Sequence, residues 1–291
     1  MTETGKGKSI RNVSDTARWV AFYRAMESER HDALFRDPYA RKLAGERGEQ
    51  IVKALRQGKR QSWSMVVRTA LMDEILLRVI ATEKIDSVVN LAAGLDTRPF
   101  RLNLPDSMQW TEVDLPEMIE YKTEMLAGET PKCRLERISL DLSNPETRRE
   151  LFQRLNSSAA RVFVITEGLL AYLTEEQVAG LAKDLHDVSH FQFWITDIAS
   201  PKVKKVMDKQ WGKELRAAGA PIQFAPASAE EFFRPYGWES VEFRGFYEAS
   251  RELNRRMPGD WMIRFWARLM PARTARMMKQ WRSGVTLLRR I

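Results

Sequence analysis

The chain has 291 residues, a hydrophobic fraction of 44% and a formal net charge of +8, enough for a substantial core in one large α/β domain. A single cysteine, Cys133, excludes an intramolecular disulfide and a cysteine-built metal site, and with only three histidines (His31, His186 and His190) no metal is expected. No stretch of about 18 apolar residues predicts a membrane span, and the polar, basic residues 1–11 do not read as a secretory leader, so the expected setting is the cytoplasm.

From the amino end, Ser14 and Asp15 are capping types in front of a helix over residues 16–26. Asp37-Pro38 opens a second short helix, for which Gly45 is the expected stop. Val66, Val67, Ala70, Leu71, Ile75, Val79 and Ile80 recur near helical spacing and predict a helix over 63–80. Arg68 interrupts its apolar face. Two readings stay open for it: a surface residue at the helix edge, or a fork that grips a carboxylate.

From residue 86 the pattern changes. Short apolar runs at 87–91, 110–113, 161–166 and 191–196 read as buried parallel strands, with a weaker candidate at 135–140. Helical stretches at 116–126, 145–155 and 175–188 alternate with them, which predicts a doubly wound, mostly parallel sheet. Residues 238–246 and 283–289 read as two late strands. No linker-like composition divides the chain. The expected organisation is one domain over 1–291: N-terminal helices to 80, a binding core over 81–200, and a substrate cap with the final strands from 201.

Open parallel sheets bind ligands beyond the carboxyl ends of their strands, so each strand end is a candidate site. The first runs into Asn90-Leu-Ala-Ala-Gly-Leu-Asp96. Gly94 lets a ligand approach the backbone, though a tight structural turn explains it as well. There is no second glycine in G-x-G spacing, which argues against a pyrophosphate loop and a nicotinamide cofactor. Asp114 ends the second strand, 20 residues after Gly94. A carboxylate there accepts from ribose hydroxyls of a nucleoside, the alternative being a helix cap before Pro116. Asp141, after the third strand, accepts an adenine amino group or caps the helix near Pro145. Glu167 ends the fourth strand, where an ionised group is costly unless it is paired or faces a ligand cation.

Several of these segments are familiar together. Val88-Val-Asn-Leu-Ala-Ala-Gly-Leu-Asp-Thr-Arg98, Glu112-Val-Asp-Leu-Pro116 and Ile165-Thr-Glu-Gly-Leu-Leu-Ala-Tyr-Leu-Thr174 resemble the leucine carboxyl methyltransferase family, in its bacterial branch. So do Asp15-Thr-Ala-Arg-Trp-Val-Ala21 and Leu34-Phe-Arg-Asp-Pro-Tyr39, in the same order. The resemblance implies a Rossmann-like methyltransferase fold and S-adenosyl-L-methionine as cofactor. It implies Arg68 on the methionine carboxylate, Gly94 in the cofactor loop, Asp114 on the ribose, Asp141 and Leu142 around the adenine, and Glu167 near the methionine end. Arg24 is a further basic candidate. Ala92 stands where the family usually has a glycine.

The acceptor implied is a carboxylate or hydroxyl of a small molecule, without metal. A carboxylate nucleophile is already ionised near neutral pH and requires no general base, so no catalytic residue is assigned. Arg98, Arg101, Tyr23 and Tyr172 are candidates for orienting it; His186 and His190 are not well placed. A phenolic or polyketide hydroxyl, and a non-catalytic nucleotide-binding or membrane-surface protein, are the alternatives.

The last 41 residues, from Arg251, hold ten arginines and one lysine against Glu252 and Asp260. Mixed with tryptophan and methionine, they read first as a helical cap on the substrate pocket, second as a membrane-surface helix, and only last as a nucleic-acid footprint.

Overall fold

The computed structural model describes residues 13–54, 62–271, 273, 277 and 280–291. Seven strands form one sheet in the order β3-β2-β1-β4-β5-β7-β6. They are β1 (Ser87–Leu91), β2 (Gln109–Asp114), β3 (Arg134–Ser139), β4 (Val162–Thr166), β5 (Phe191–Ala199), β6 (Trp238–Gly245) and β7 (Ser283–Arg290). β1 to β5 pair in parallel, while β7 runs antiparallel to both β5 and β6.

Strand composition follows from burial. β1 and β4 are buried at every residue and read as unbroken apolar runs, because helices cover both faces of the sheet. Their side chains alternate between two cores. Val88, Phe163 and Ile165 pack with Leu71, Ile75 and Val79 of α3 (Ser62–Glu83). Val89, Val162 and Val164 pack on the other face with α6 (Pro145–Ser158) and α7 (Glu175–His186), through Phe152, Leu155, Val178 and Leu181. Each fully buried side chain of this size contributes about 1.5–3 kcal/mol of transfer free energy. β3 is the edge strand: its sequence, Arg-Leu-Glu-Arg-Ile-Ser, has no fully buried residue, which is why its signal is weak. Cys133 lies just before it, buried, and burial pushes its thiol up to about 11, with Glu112 adding to the shift.

The N-terminal helices form a third layer. α1 (Val13–Ser28) packs along α2 (Ala40–Ala54), and their core includes Trp19, Phe22, Leu43 and Ile51. Gly45 does not end α2: its left-handed backbone (φ 57°) kinks the helix, which continues for two more turns. Continuation is favoured because Gly48, Ile51 and Val52 are buried against α1. α8 (Pro201–Ala217) covers the outer side of α1, with Trp211 edge-on to Trp19 at 5.3 Å.

Short helices complete the loops: α4 (Arg98–Arg101), α5 (Pro116–Met125), α9 (Ala229–Phe233), α10 (Phe246–Glu252) and α11 (Asp260–Leu269). α10 and α11 belong to an insert over residues 246–282 between β6 and β7. Gly245 pairs with Gly284, and Ser283 pairs with Ala199 at the end of β5. The insert therefore leaves the sheet at the same edge at which the parallel strands end. No helix among the described residues is long and apolar enough to cross a membrane.

Candidate functional site

A cleft opens at the carboxyl ends of β1, β2 and β4 and is walled on the outside by α1 and α3. Arg68, Gly94, Asp114 and Glu167 all line it, as do Arg24, Asn90, Ala92, Arg98 and Tyr172. Four of the six residues singled out in the sequence thus converge from four separate segments.

The loop after β1 turns back through two left-handed residues, Ala92 (φ 54°) and Gly94 (φ 48°). Glycine tolerates that region and alanine does so only at a cost, so Ala92 carries backbone strain of about 1–2 kcal/mol. The tight turn aims the Gly94 N–H at Asp114, whose Oδ2 accepts it at 2.6 Å, while Oδ1 accepts from the N–H of Leu115 at 2.8 Å. Asp114 is not a helix cap: Leu115 occupies that position at α5, with no side-chain bond. Burial raises the carboxyl of Asp114 above the usual aspartate range, and the two backbone donors offset only part of this.

At the other end of the cleft lies a network of charges. Arg68, on the second turn of α3, is buried rather than at a surface edge. It pairs with Glu167 at 2.9 Å and with Asp197, on β5, at 3.1 Å. Arg98 holds the other Glu167 oxygen at 2.8 Å and also pairs with Asp73 and Asp96, each at 2.7 Å. Arg101 joins through Asp73 at 2.6 Å. Burial would raise the Glu167 carboxyl, but the guanidinium of Arg98, then that of Arg68, outweighs it and holds the group at about 2. Asp96 is held low in the same way, with Arg98 the main cation. Arg98 is 1% exposed, and its Nη2 has no hydrogen-bond partner among the described residues. Three arginines against four acids leave the cluster with one net negative charge.

Asp73 and Asp197 escaped the sequence reading, and Asp96 entered it only as the end of the first loop, with no role. Asp73 sits five residues after Arg68 on the same helix, and an acid amid the buried positions of α3 was its signal. Asp197 lies beyond the end of the apolar run assigned to β5, which extends three residues further than expected. Gly168 explains the local backbone there: at φ 68° its N–H donates to Asp197 Oδ1 at 2.6 Å, and an added Cβ would come within 3.4 Å of Arg68 Nη1.

Asp141 and Leu142 are not among the residues lining the cleft. Asp141 is exposed and folds its Oδ1 onto the N–H of Ser143 at 2.9 Å. Asn144, not Asp141, caps α6, accepting from Glu146 N at 3.0 Å. Leu142 is half-buried beside the α6–α7 core, and its carbonyl accepts from Arg148 at 2.8 Å.

Arg24 pairs with Asp37 at 2.8 Å and donates to the Leu95 carbonyl, tying α1 to the cofactor-type loop. Tyr23 is buried outright, and burial pushes its hydroxyl up to about 12. Tyr172 lines the cleft with its hydroxyl raised by burial. The histidines are elsewhere. His190 precedes β5, at the amino end of the sheet, with Nδ1 2.8 Å from the Asn156 carbonyl; His186 rests edge-on against Trp238. Among the described residues no cluster of metal-ligating side chains occurs.

Among the described residues of 246–282 none lines the cleft, and the only buried residue of α11 is Asp260; residues 272, 274–276 and 278–279 of the expected cap lie outside the described residues. Trp261, Met262, Phe265, Trp266 and Leu269 are exposed.

A sheet with this strand order and one antiparallel strand, β7, with its cleft at the parallel strands' carboxyl ends, defines the Rossmann-like methyltransferase fold. Solved structures agree: a candidate methyltransferase from Thermobifida fusca aligns over 100% of this chain and 99% of its own at a TM-score of 0.60 and 13% identity. A DUF574-family protein from Streptomyces avermitilis aligns over 95% of this chain and 97% of its own at a TM-score of 0.60 and 14% identity. The leucine carboxyl methyltransferase family profile matches residues 17–186, and the chain belongs to that family. A candidate S-adenosyl-L-methionine-dependent methyltransferase of Streptomyces coelicolor is 37% identical over 172 residues, 56% of this chain but only 60% of that relative's length. A Frankia alni protein of the same description is 31% identical over 276 residues, 85% of this chain and 90% of its own.

Proposed function

We propose that this chain is an S-adenosyl-L-methionine-dependent O-methyltransferase acting on a carboxylate of a small molecule. The observation that carries the reading is the geometry at the two ends of the cleft: Asp114 against Gly94 at one, the Arg68–Glu167 pair at the other. A nucleoside joined to an amino acid has chemistry to match. Its ribose hydroxyls donate to a carboxylate beside a close-approach turn, and its zwitterionic amino-acid end meets one guanidinium and one carboxylate side by side.

The chain's own groups fit that cofactor. The unpartnered Arg98 Nη2 is a donor left over for a carboxylate, and the single net negative charge of the cluster favours a sulfonium cation. Arg68 would hold the methionine carboxylate, Glu167 the ammonium, Gly94 the close approach and Asp114 the ribose. Asp141 and Leu142 are assigned to the adenine by family resemblance alone. The bound cofactor supplies an electrophilic methyl with a neutral leaving thioether. The protein's task is then to align an acceptor oxygen and exclude water, which the walls of α1 and α3 support. No histidine lines the cleft among the described residues, which favours an acceptor that is already ionised over a phenol.

The test is calorimetric titration with S-adenosylhomocysteine. Asp114→Ala is expected to weaken binding by about 10- to 100-fold, the loss of a charge-assisted hydrogen-bonding pair, with an unchanged circular dichroism spectrum. Unchanged affinity would sink the assignment. Methyl turnover on a panel of carboxylic acids and phenols then separates the carboxylate reading from the hydroxyl reading and from a protein that only binds.

A further inference from the structure

The insert between β6 and β7 has an uncovered face that the cleft does not use. Trp261 is 71% exposed and Leu269 57%; with Met262, Phe265 and Trp266 they recur at helical spacing and make one contiguous apolar arc on α11. Ile263 and Ala267, half-buried, mark the opposite side. Single exposed apolar residues are ordinary; five large ones on ten residues are not.

The charge beside this arc has one sign. Arg264 and Arg268 lie one turn apart along its edge, and neither has a carboxylate partner among the described residues. From Trp261 to Arg282 the sequence holds Arg264, Arg268, Arg273, Arg276, Lys279 and Arg282 and no acid. The acid that opens the helix, Asp260, is buried and accepts from the Tyr247 hydroxyl at 2.8 Å. Elsewhere in the molecule the arginines are mostly paired: Arg255, at the root of the same insert, is buried against Glu27 at 2.7 Å and Asp32 at 3.1 Å.

We propose that α11 docks flat on an anionic lipid surface. Its tryptophans and Phe265 enter the headgroup–acyl boundary, and Arg264 and Arg268 reach sideways to the lipid phosphates. Charge complementarity selects lipid over a second copy of this chain, whose α11 would bring its own Arg264 and Arg268 against the same two cations with no acid to answer them. Because the insert leaves the sheet at the cleft edge, docking turns the mouth of the cleft toward the membrane. The helix is in-plane, not spanning: α11 has ten residues.

The test sediments the full chain, without cofactor, with vesicles of phosphatidylcholine mixed with phosphatidylglycerol and with phosphatidylcholine alone. Binding is expected to be at least about tenfold stronger to the anionic vesicles and to weaken with salt. Trp261→Gln/Phe265→Gln and, separately, Arg264→Gln/Arg268→Gln should each lose about tenfold with the melting temperature unchanged, since none of the four side chains is buried. Absence of the chain from the anionic pellet overturns the proposal. So does a concentration-dependent dimer that the Trp261/Phe265 variant dissolves without any vesicle binding, which would make a second copy the occupant.

Discussion

The cleft and the β6–β7 insert are both rich in arginine, and they use it in opposite ways. In the cleft, Arg68, Arg98 and Arg101 are buried and answered by Asp73, Asp96, Glu167 and Asp197 at 2.6–3.1 Å. Around α11 the arginines stand in water beside bare apolar surface. A buried guanidinium must be paired because desolvation is otherwise prohibitive, whereas an exposed one is free to meet an external partner. The number of arginines therefore says little about function; what answers each of them says more.

The largest effect should come from removing a central cation of the cleft. Arg98→Ala leaves three carboxylates short of a partner, and a loss of about 3–5 kcal/mol in urea unfolding is expected. A loss below about 1 kcal/mol would break the contrast, since that is the scale of an exposed pair.

Acidification sharpens the comparison further. The Glu167 carboxyl is held at about 2, below its unfolded value, so its stabilising contribution is complete above the ordinary glutamate range and disappears as pH falls toward 2. Asp114 is shifted the other way, upward, so it takes up its proton first. As a neutral acid it accepts less strongly from ribose hydroxyls. S-adenosylhomocysteine affinity is thus expected to fall at higher pH than stability does, measured by calorimetry beside circular dichroism from neutral pH downward. Simultaneous loss would show that the two ends of the cleft titrate as one.

The smallest effect lies in the loop. Ala92→Gly removes left-handed strain but loosens the unfolded chain, and a net gain of about 0.5 kcal/mol is expected in thermal unfolding. Destabilisation would mean that the methyl group of Ala92 packs more than it strains.

Much of this was legible before the fold was seen. Strand ends carried Gly94, Asp114 and Glu167, because a buried parallel strand is a continuous apolar run and the first polar residue after it stands at its carboxyl end. β3 was faint, being an edge strand with polar residues along it. Arg68 was visible as an interruption, but not its partners: Asp197 comes from a strand 129 residues away, and no spacing rule reports such a contact. Gly45 misled because a glycine that ends one helix kinks another, and only the burial of Gly48 and Ile51 decides which. The tail was ambiguous for another reason. Its amphipathic pattern is the same whether the apolar face is turned toward the protein or away from it.

Cys133 has a practical consequence. It is the only thiol in the chain, buried before β3 and about 11 in its titration, so little of it is thiolate at neutral pH. A cysteine introduced at an exposed site such as Trp261 would react with maleimide far faster. The natural sequence already serves as a background for single-site spectroscopic labelling, with no protective substitution required.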